Sequence, residues 1–226
     1  MFIDTHTHFY DPSRPEGGPW PPKDNELLYR TVLPEHFKAV ANPCGVTHTV
    51  IVEASAWLED NDWILEMAKD EPAIAGFVGH LEPEWDGFDD HVARLGANPL
   101  FNGIRLHRDT FGNGKNGHQL QALRSLVDYD IELDLLVNAE ELPAVADAAA
   151  AYPSLRIVVN HVAHVSITGR DPDPAWIKAL RGLASYENVF MKISGFIECA
   201  ETQPAPDDPA YYEPTFDALW NILGED

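Results

Sequence analysis

Cysteine is scarce in this chain: two residues in 226, Cys44 and Cys199, far apart and outside any Cys-x-x-Cys spacing. That excludes a disulfide framework and a zinc finger, and both thiols are expected to be reduced and structural. Basic residues are scarce as well, 15 against 37 acidic ones, with only six lysines and a formal net charge of −22. A surface of that sign repels phosphate backbones and anionic lipid, so neither nucleic acid nor a membrane is expected as a partner. The excess acid has two readings, adaptation to a salty environment or an ordinary, well-solvated acidic enzyme. No apolar run approaches the roughly 18 residues of a membrane span. The start, Met1-Phe-Ile-Asp-Thr-His6, has no basic region and no long apolar stretch, so no signal peptide is expected and the cytoplasm is the default compartment. A Gly-x-Ser-x-Gly elbow is absent and neither cysteine has a nucleophile-like setting, which argues against acyl-enzyme chemistry. No glycine-rich phosphate loop follows the first apolar run, which argues against a nucleotide-binding open sheet.

What the chain does have is apolar residues, 45% of the total, enough for one sizeable core. They fall into short runs: Phe2 to His8, Thr47 to Glu53, Ile74 to His80, Phe101 to His107, Ile131 to Val137, Leu155 to His161 and Val189 to Ser194. Several are nearly continuous, as parallel strands covered by helices should be. Between them lie stripes at helical spacing. These are Trp63, Ile64, Met67 and Ala68; Phe88, Val92 and Leu95; Leu120, Leu123 and Val127; Leu142, Val145, Ala146 and Ala149; Trp176, Leu180 and Leu183; and Phe216, Leu219 and Leu223. From the second run on, one strand begins every 24 to 34 residues, the period of a βα unit. The expected fold is therefore α/β, a (β/α)8 TIM barrel with about seven βα units in this chain, as a single domain over residues 1–226. The segment Tyr10 to Asp24, with five prolines and two glycines, breaks the rhythm; it is either a lid over the catalytic face or a plain surface excursion.

Ionisable residues recur where these strands end: His6 and His8, Glu53, His80, Arg105 and His107, His161, and Lys192. Buried charge in a strand is costly unless paired, and in a barrel these ends converge on the catalytic face. His6 and His8 are two apart, so one strand face can carry both imidazoles, a pair that suits zinc, iron, nickel or manganese. Asp4 shares that face and could orient a histidine. Arg105 offers a planar fork to a substrate carboxylate, with His107 assisting, or else pairs inside the fold with Glu53. His161 could be a third metal ligand or a general acid/base. Glu53 and His80 either line the pocket or pair structurally. Lys192 could bind an anionic group and alternates with Ser194, and His164 stands on the loop after His161. His36, His48, His91 and His118 read as surface residues.

The stretches Ile3-Asp-Thr-His-Thr-His8, Asn102-Gly-Ile-Arg-Leu-His107, Leu133-Asp-Leu-Leu-Val137, Asn160-His161-Val and Met191-Lys-Ile-Ser-Gly195 occur in an order that resembles the amidohydrolase superfamily. The likeness is to the amidohydrolase-related branch, which includes sugar-lactone and 2-pyrone-4,6-dicarboxylate hydrolases. It implies hydrolysis of a C–O bond, most often of a lactone, or of a C–N bond in a small carboxylated or hydroxylated substrate. It further implies His6, His8 and His161 as catalytic and metal-binding residues, with a divalent ion, zinc by preference; metal-free hydrolysis is the alternative. Arg105, His107, Glu53, His80 and Lys192 are expected on the substrate. A metal-dependent decarboxylase of the same superfamily and a catalytically inactive ligand-binding barrel are the other readings. The family's eighth strand carries an aspartate that binds metal or activates water, and Asp226 belongs to the lead-in to that strand, so the expectation is either a chain truncated before it or a protein that lacks this base. Homo-oligomerisation is a further expectation, because a barrel edge beside the seventh strand would favour association.

Overall fold

The computed structural model describes residues 2–14, 20–111 and 117–224. The expectations for Asp226, for the side chains of His118 and Leu120, and for the middle of the Pro-rich excursion fall outside the described residues. Strands and helices alternate in order: β1 Phe2–Thr7, α1 Pro34–Ala41, β2 Val46–Val52, α2 Leu58–Ala68, β3 Ile74–Gly79, α3 Phe88–Gly96 and β4 Phe101–His107. Then come α4 Arg108–Phe111, α5 Gly117–Asp128, β5 Glu132–Leu136, α6 Leu142–Ala151, β6 Ile157–Val159, α7 Pro174–Leu183, β7 Val189–Met191 and α8 Glu213–Leu223. The chain divides within β4 into two compact units, Met1–Arg105 and Leu106–Asp226.

In the first unit β1, β2, β3 and β4 lie side by side, each parallel to the next. Ile51, Val52, Phe77, Val78, Leu81, Val92 and Ile104 are fully or almost fully buried there, each worth about 1.5–3 kcal/mol of apolar transfer. Helix α3 carries Asp89 and Asp90 in its first turn and Arg94 in its last, each sign at the favourable end of the helix dipole. The excursion after β1 is tied at its base, where Tyr10 and Val32 exchange two backbone hydrogen bonds of 2.9 Å. Arg14 fixes it to α2, by a 2.6 Å ion pair with Asp60 and by lying 4.2 Å over the Trp63 ring.

In the second unit β5, β6 and β7 are parallel neighbours, with Leu133 paired to Ile157 and Ile157 to Val189. Its core is Leu126, Leu133, Leu135, Leu142, Val145, Ile157, Val159, Leu180 and the large Trp176. Asp173 caps α7 by accepting from the Ala175 N–H, and Pro174 occupies the first turn, where no donor is lost. No described helix is long and apolar enough to cross a membrane.

Two expectations need correction. The apolar run at Leu155 forms strand only over Ile157–Val159, and the run at Val189 only to Met191, so His161, Lys192 and Ser194 stand just beyond the strands. On α8 the buried positions are Thr215 and Leu219, while Phe216 and Trp220 stack on each other at the surface, 5.7 Å apart. Helical spacing identifies a stripe but not the face that packing selects.

Candidate active site

The first unit gathers His6, His8, Glu53, His80 and Arg105 around the ends of β1 to β4. The His6 and His8 rings are 5.0 Å apart, edge to face. Asp4 serves this pair through the backbone: its Oδ1 accepts from the His6 N–H at 3.0 Å, not from an imidazole. His8 Nδ1 lies 2.9 Å from the Val52 carbonyl oxygen. A carbonyl can only accept, so Nδ1 carries the proton and Nε2 keeps its lone pair. Burial, and then the Arg105 charge, push the His8 pKa down to about 4, so the ring is neutral at pH 7. Trp20, on the excursion, closes one side with its ring 5.4 Å from His8.

Glu53 and Arg105 form a buried fork. Arg105 Nε and Nη2 donate to Glu53 Oε1 at 2.8 and 2.7 Å, and Nη2 also donates to the Glu53 carbonyl at 2.8 Å. The ion pair with Glu53, one of the two roles open to Arg105, is present. His80 is buried, with Nδ1 4.0 Å from Glu53 Oε1 and Nε2 3.1 Å from Glu82 Oε1. Its backbone is gripped by buried Asn61, whose Oδ1 accepts from the His80 N–H and whose Nδ2 donates to the His80 carbonyl. Gly79 makes this possible: a Cβ there would stand 2.2 Å from Asn61 Oδ1.

The second unit has a polar cluster of its own. Asp134, fully buried on β5, accepts at Oδ2 from Lys192 Nζ at 2.7 Å and from Asn160 Nδ2 at 3.1 Å. Asp134 Oδ1 and Asn160 Oδ1 have no hydrogen-bond partner among the described residues. Glu132 lies on the same strand, and its pKa is pushed up to about 7 by burial and by Asp134, against Lys192 and Arg156. Just above, His161 Nδ1 is 2.9 Å from Ser194 Oγ, and its ring is 5.6 Å from that of His164. His164 Nδ1 donates to the Val137 carbonyl at 3.1 Å. His107 ends β4 with an exposed side chain.

Reasoning from strand ends therefore misses Asp134, Trp20 and Glu82 as members of these clusters. Asp134 was visible in principle, as one of two acids, with Glu132, inside a run of apolar residues. Trp20 and Glu82 lie on loops, where no periodicity marks them.

The amidohydrolase family profile matches residues 3–226. An L-fucono-1,5-lactonase from Burkholderia ambifaria is 32% identical over 209 residues, covering 91% of this chain and 70% of that protein. Another from Burkholderia multivorans is 27% identical over 244 residues, 98% of this chain and 78% of that protein. Among solved structures, a Burkholderia multivorans amidohydrolase with bound zinc superposes with a TM-score of 0.86 at 24% identity, over 99% of this chain and 81% of that one. That likeness shows the fold, a (β/α)8 barrel type, and the described residues carry seven βα units of it. The chain is a hydrolase and belongs to the amidohydrolase family.

Proposed function

We propose that the chain opens the ring of a small hydroxylated or carboxylated lactone, a sugar lactone in the first instance, with zinc as its metal. The observation that carries this is the 32% identity, across 91% of the chain, with an L-fucono-1,5-lactonase. The residues of the first unit support it. His8 fits a metal because the Val52 carbonyl occupies Nδ1 and the lowered pKa keeps the ring neutral, which together leave an Nε2 lone pair to donate. His6 is the second imidazole of that pair, and His161 carries the same proposal in the second unit. Such an ion, when bound, supplies a nucleophile at neutral pH by acidifying water.

The chain's own residues do the rest. Arg105 holds the Glu53 carboxylate in one orientation, as an acceptor for a substrate hydroxyl, while Trp20 excludes water beside His8. Glu53, His80 and Arg105 in the first unit, and His107 and Lys192 in the second, carry the polar contacts proposed for the substrate. A panel of five- and six-membered aldonolactones, followed by acid release in a pH-stat with added zinc, tests the reading. His8→Ala should lower kcat/KM by at least about 100-fold on the substrate that is opened. The reading fails if the zinc-supplemented protein opens none of the panel, or if the variant matches the parent.

A further inference from the structure

The loop that leaves β6 turns the wrong way. His161, Val162, Ala163 and His164 have φ of 50, 49, 54 and 48°, four consecutive residues in the left-handed region and none of them glycine. L residues avoid this region because Cβ crowds the neighbouring carbonyl, so it persists only where the surroundings over-determine it. Here they do. Val162 and Ala163 are fully buried. The Val162 N–H donates to the Lys192 carbonyl at 3.3 Å and the Ala163 N–H to the Asn160 carbonyl at 3.0 Å. Trp176 Nε1 donates to the Val162 carbonyl at 3.2 Å.

The turn aims His161 at the segment after β7. Ser194 Oγ meets His161 Nδ1 at 2.9 Å. The next residue, Gly195, has φ +71°, and a Cβ built on it would stand 2.7 Å from His161 Cβ, 3.0 Å from Cγ and 3.1 Å from Nδ1. The imidazole thus lies on a glycine that only a glycine can be, with its Nδ1 taken by the preceding hydroxyl.

We propose that Ser194 and Gly195 are positioning residues for His161: the Ser194 hydroxyl fixes the ring through Nδ1 and leaves the chemistry to Nε2, while Gly195 gives the ring its seat. This rests on the lactonase reading, in which His161 acts in the reaction. The left-handed turn supplies the backbone direction, and the two residues after β7 supply the lock. Neither touches the substrate in this proposal; both act through His161.

The test is Ser194→Ala, with Ser194→Thr as the conservative return of the hydroxyl and Gly195→Ala as an independent disturbance of the seat. Nitrogen-15 spectra of the imidazoles on the purified protein give a readout that needs no substrate, with the His161 signals identified by their loss in His161→Gln. In Ser194→Ala the His161 nitrogens should shift while those of His8 and His164 stay, and Thr should restore them. Gly195→Ala should shift them further. On the lactone, Ser194→Ala should lower kcat about 10- to 100-fold with KM nearly unchanged. The proposal is overturned if the His161 nitrogens do not move, or if they move and kcat stays at the parental value. Should no lactone be opened at all, the lactonase reading fails and the spectra alone decide the positioning. Should Ser194→Ala not fold, Gly195→Ala decides by the same signals.

Discussion

Glu132 is a carboxyl that the fold of the second unit treats badly. It faces Asp134 on its own strand, Lys192 after β7 and Arg156 before β6, and burial together with Asp134 outweighs the two cations. Its folded-state pKa of about 7 stands above the ordinary 4.5, so the folded chain holds a proton that the unfolded chain releases. The sign follows. This contribution to stability is fully present below pH 4.5 and is lost as pH rises through about 7, with a total of about 3 kcal/mol at most. Glu132→Gln cannot ionise and should escape the loss. Urea denaturation of both proteins between about pH 5.5 and 8 should show the variant gaining on the parent across that interval, every other titrating group cancelling in the difference. A difference that stays flat with pH would mean that Glu132 ionises normally.

At the scale of one element, the left-handed turn His161–His164 makes an energetic claim that a right-handed helix reverses. Ala163 is fully buried with φ 54°, and Ala122, in α5, is 1% exposed in an ordinary helix. Ala→Gly at either site loses a buried methyl, about 0.8 kcal/mol, and adds freedom to the unfolded chain. At Ala122 the helix preference for alanine adds about 1 kcal/mol more to the loss. At Ala163 glycine instead relieves about 1–2 kcal/mol of left-handed strain. Ala122→Gly should therefore destabilise by about 2 kcal/mol and Ala163→Gly by under about 1 kcal/mol, read from urea midpoints at constant slope. Equal losses would remove the strain from the account. The turn also marks the limit of what the sequence made legible. His161 is readable as a candidate because it closes an apolar run. Its backbone is not readable, because Val162 and Ala163 have no preference for positive φ, and contacts with Asn160, Trp176 and Lys192 together with burial impose it. The His8 tautomer is hidden for the same reason, since it depends on a carbonyl 44 residues away in sequence. Arg105 is an intermediate case: Glu53 was readable as its partner, and the geometry of the fork shows that pair, while the substrate role stays a proposal.

For the chain as a whole, the βα rhythm was legible because each strand must carry a buried apolar run and each helix a stripe, so two periodicities alternate along the entire length. The charge of −22 is a property of the same scale and was legible in sign but not in consequence. Like charges repel in the compact state, and the few basic partners offset little of it: the Arg94–Asp62 pair, for example, has side chains 48% and 55% exposed and sits where ion pairs contribute about 0–1 kcal/mol. Salt should thus stabilise by screening repulsion more than it destabilises by weakening ion pairs. The thermal midpoint should rise between about 0.1 and 1 M NaCl, where the screening length falls from about 10 to 3 Å, by about 2–4 °C for each kcal/mol of repulsion removed. The salt dependence of unfolding is what decides between the two readings of the acidity. Both units bury full sets of large aliphatic and aromatic side chains, Phe77, Leu81 and Ile104 in the first, Leu126, Leu133 and Trp176 in the second. Such cores should hold the fold without molar salt. A cooperative unfolding transition is therefore expected already at about 0.1 M, the salt adding to it rather than creating it. A chain that unfolds cooperatively only in molar salt would instead be one whose acidic surface is an adaptation to brine.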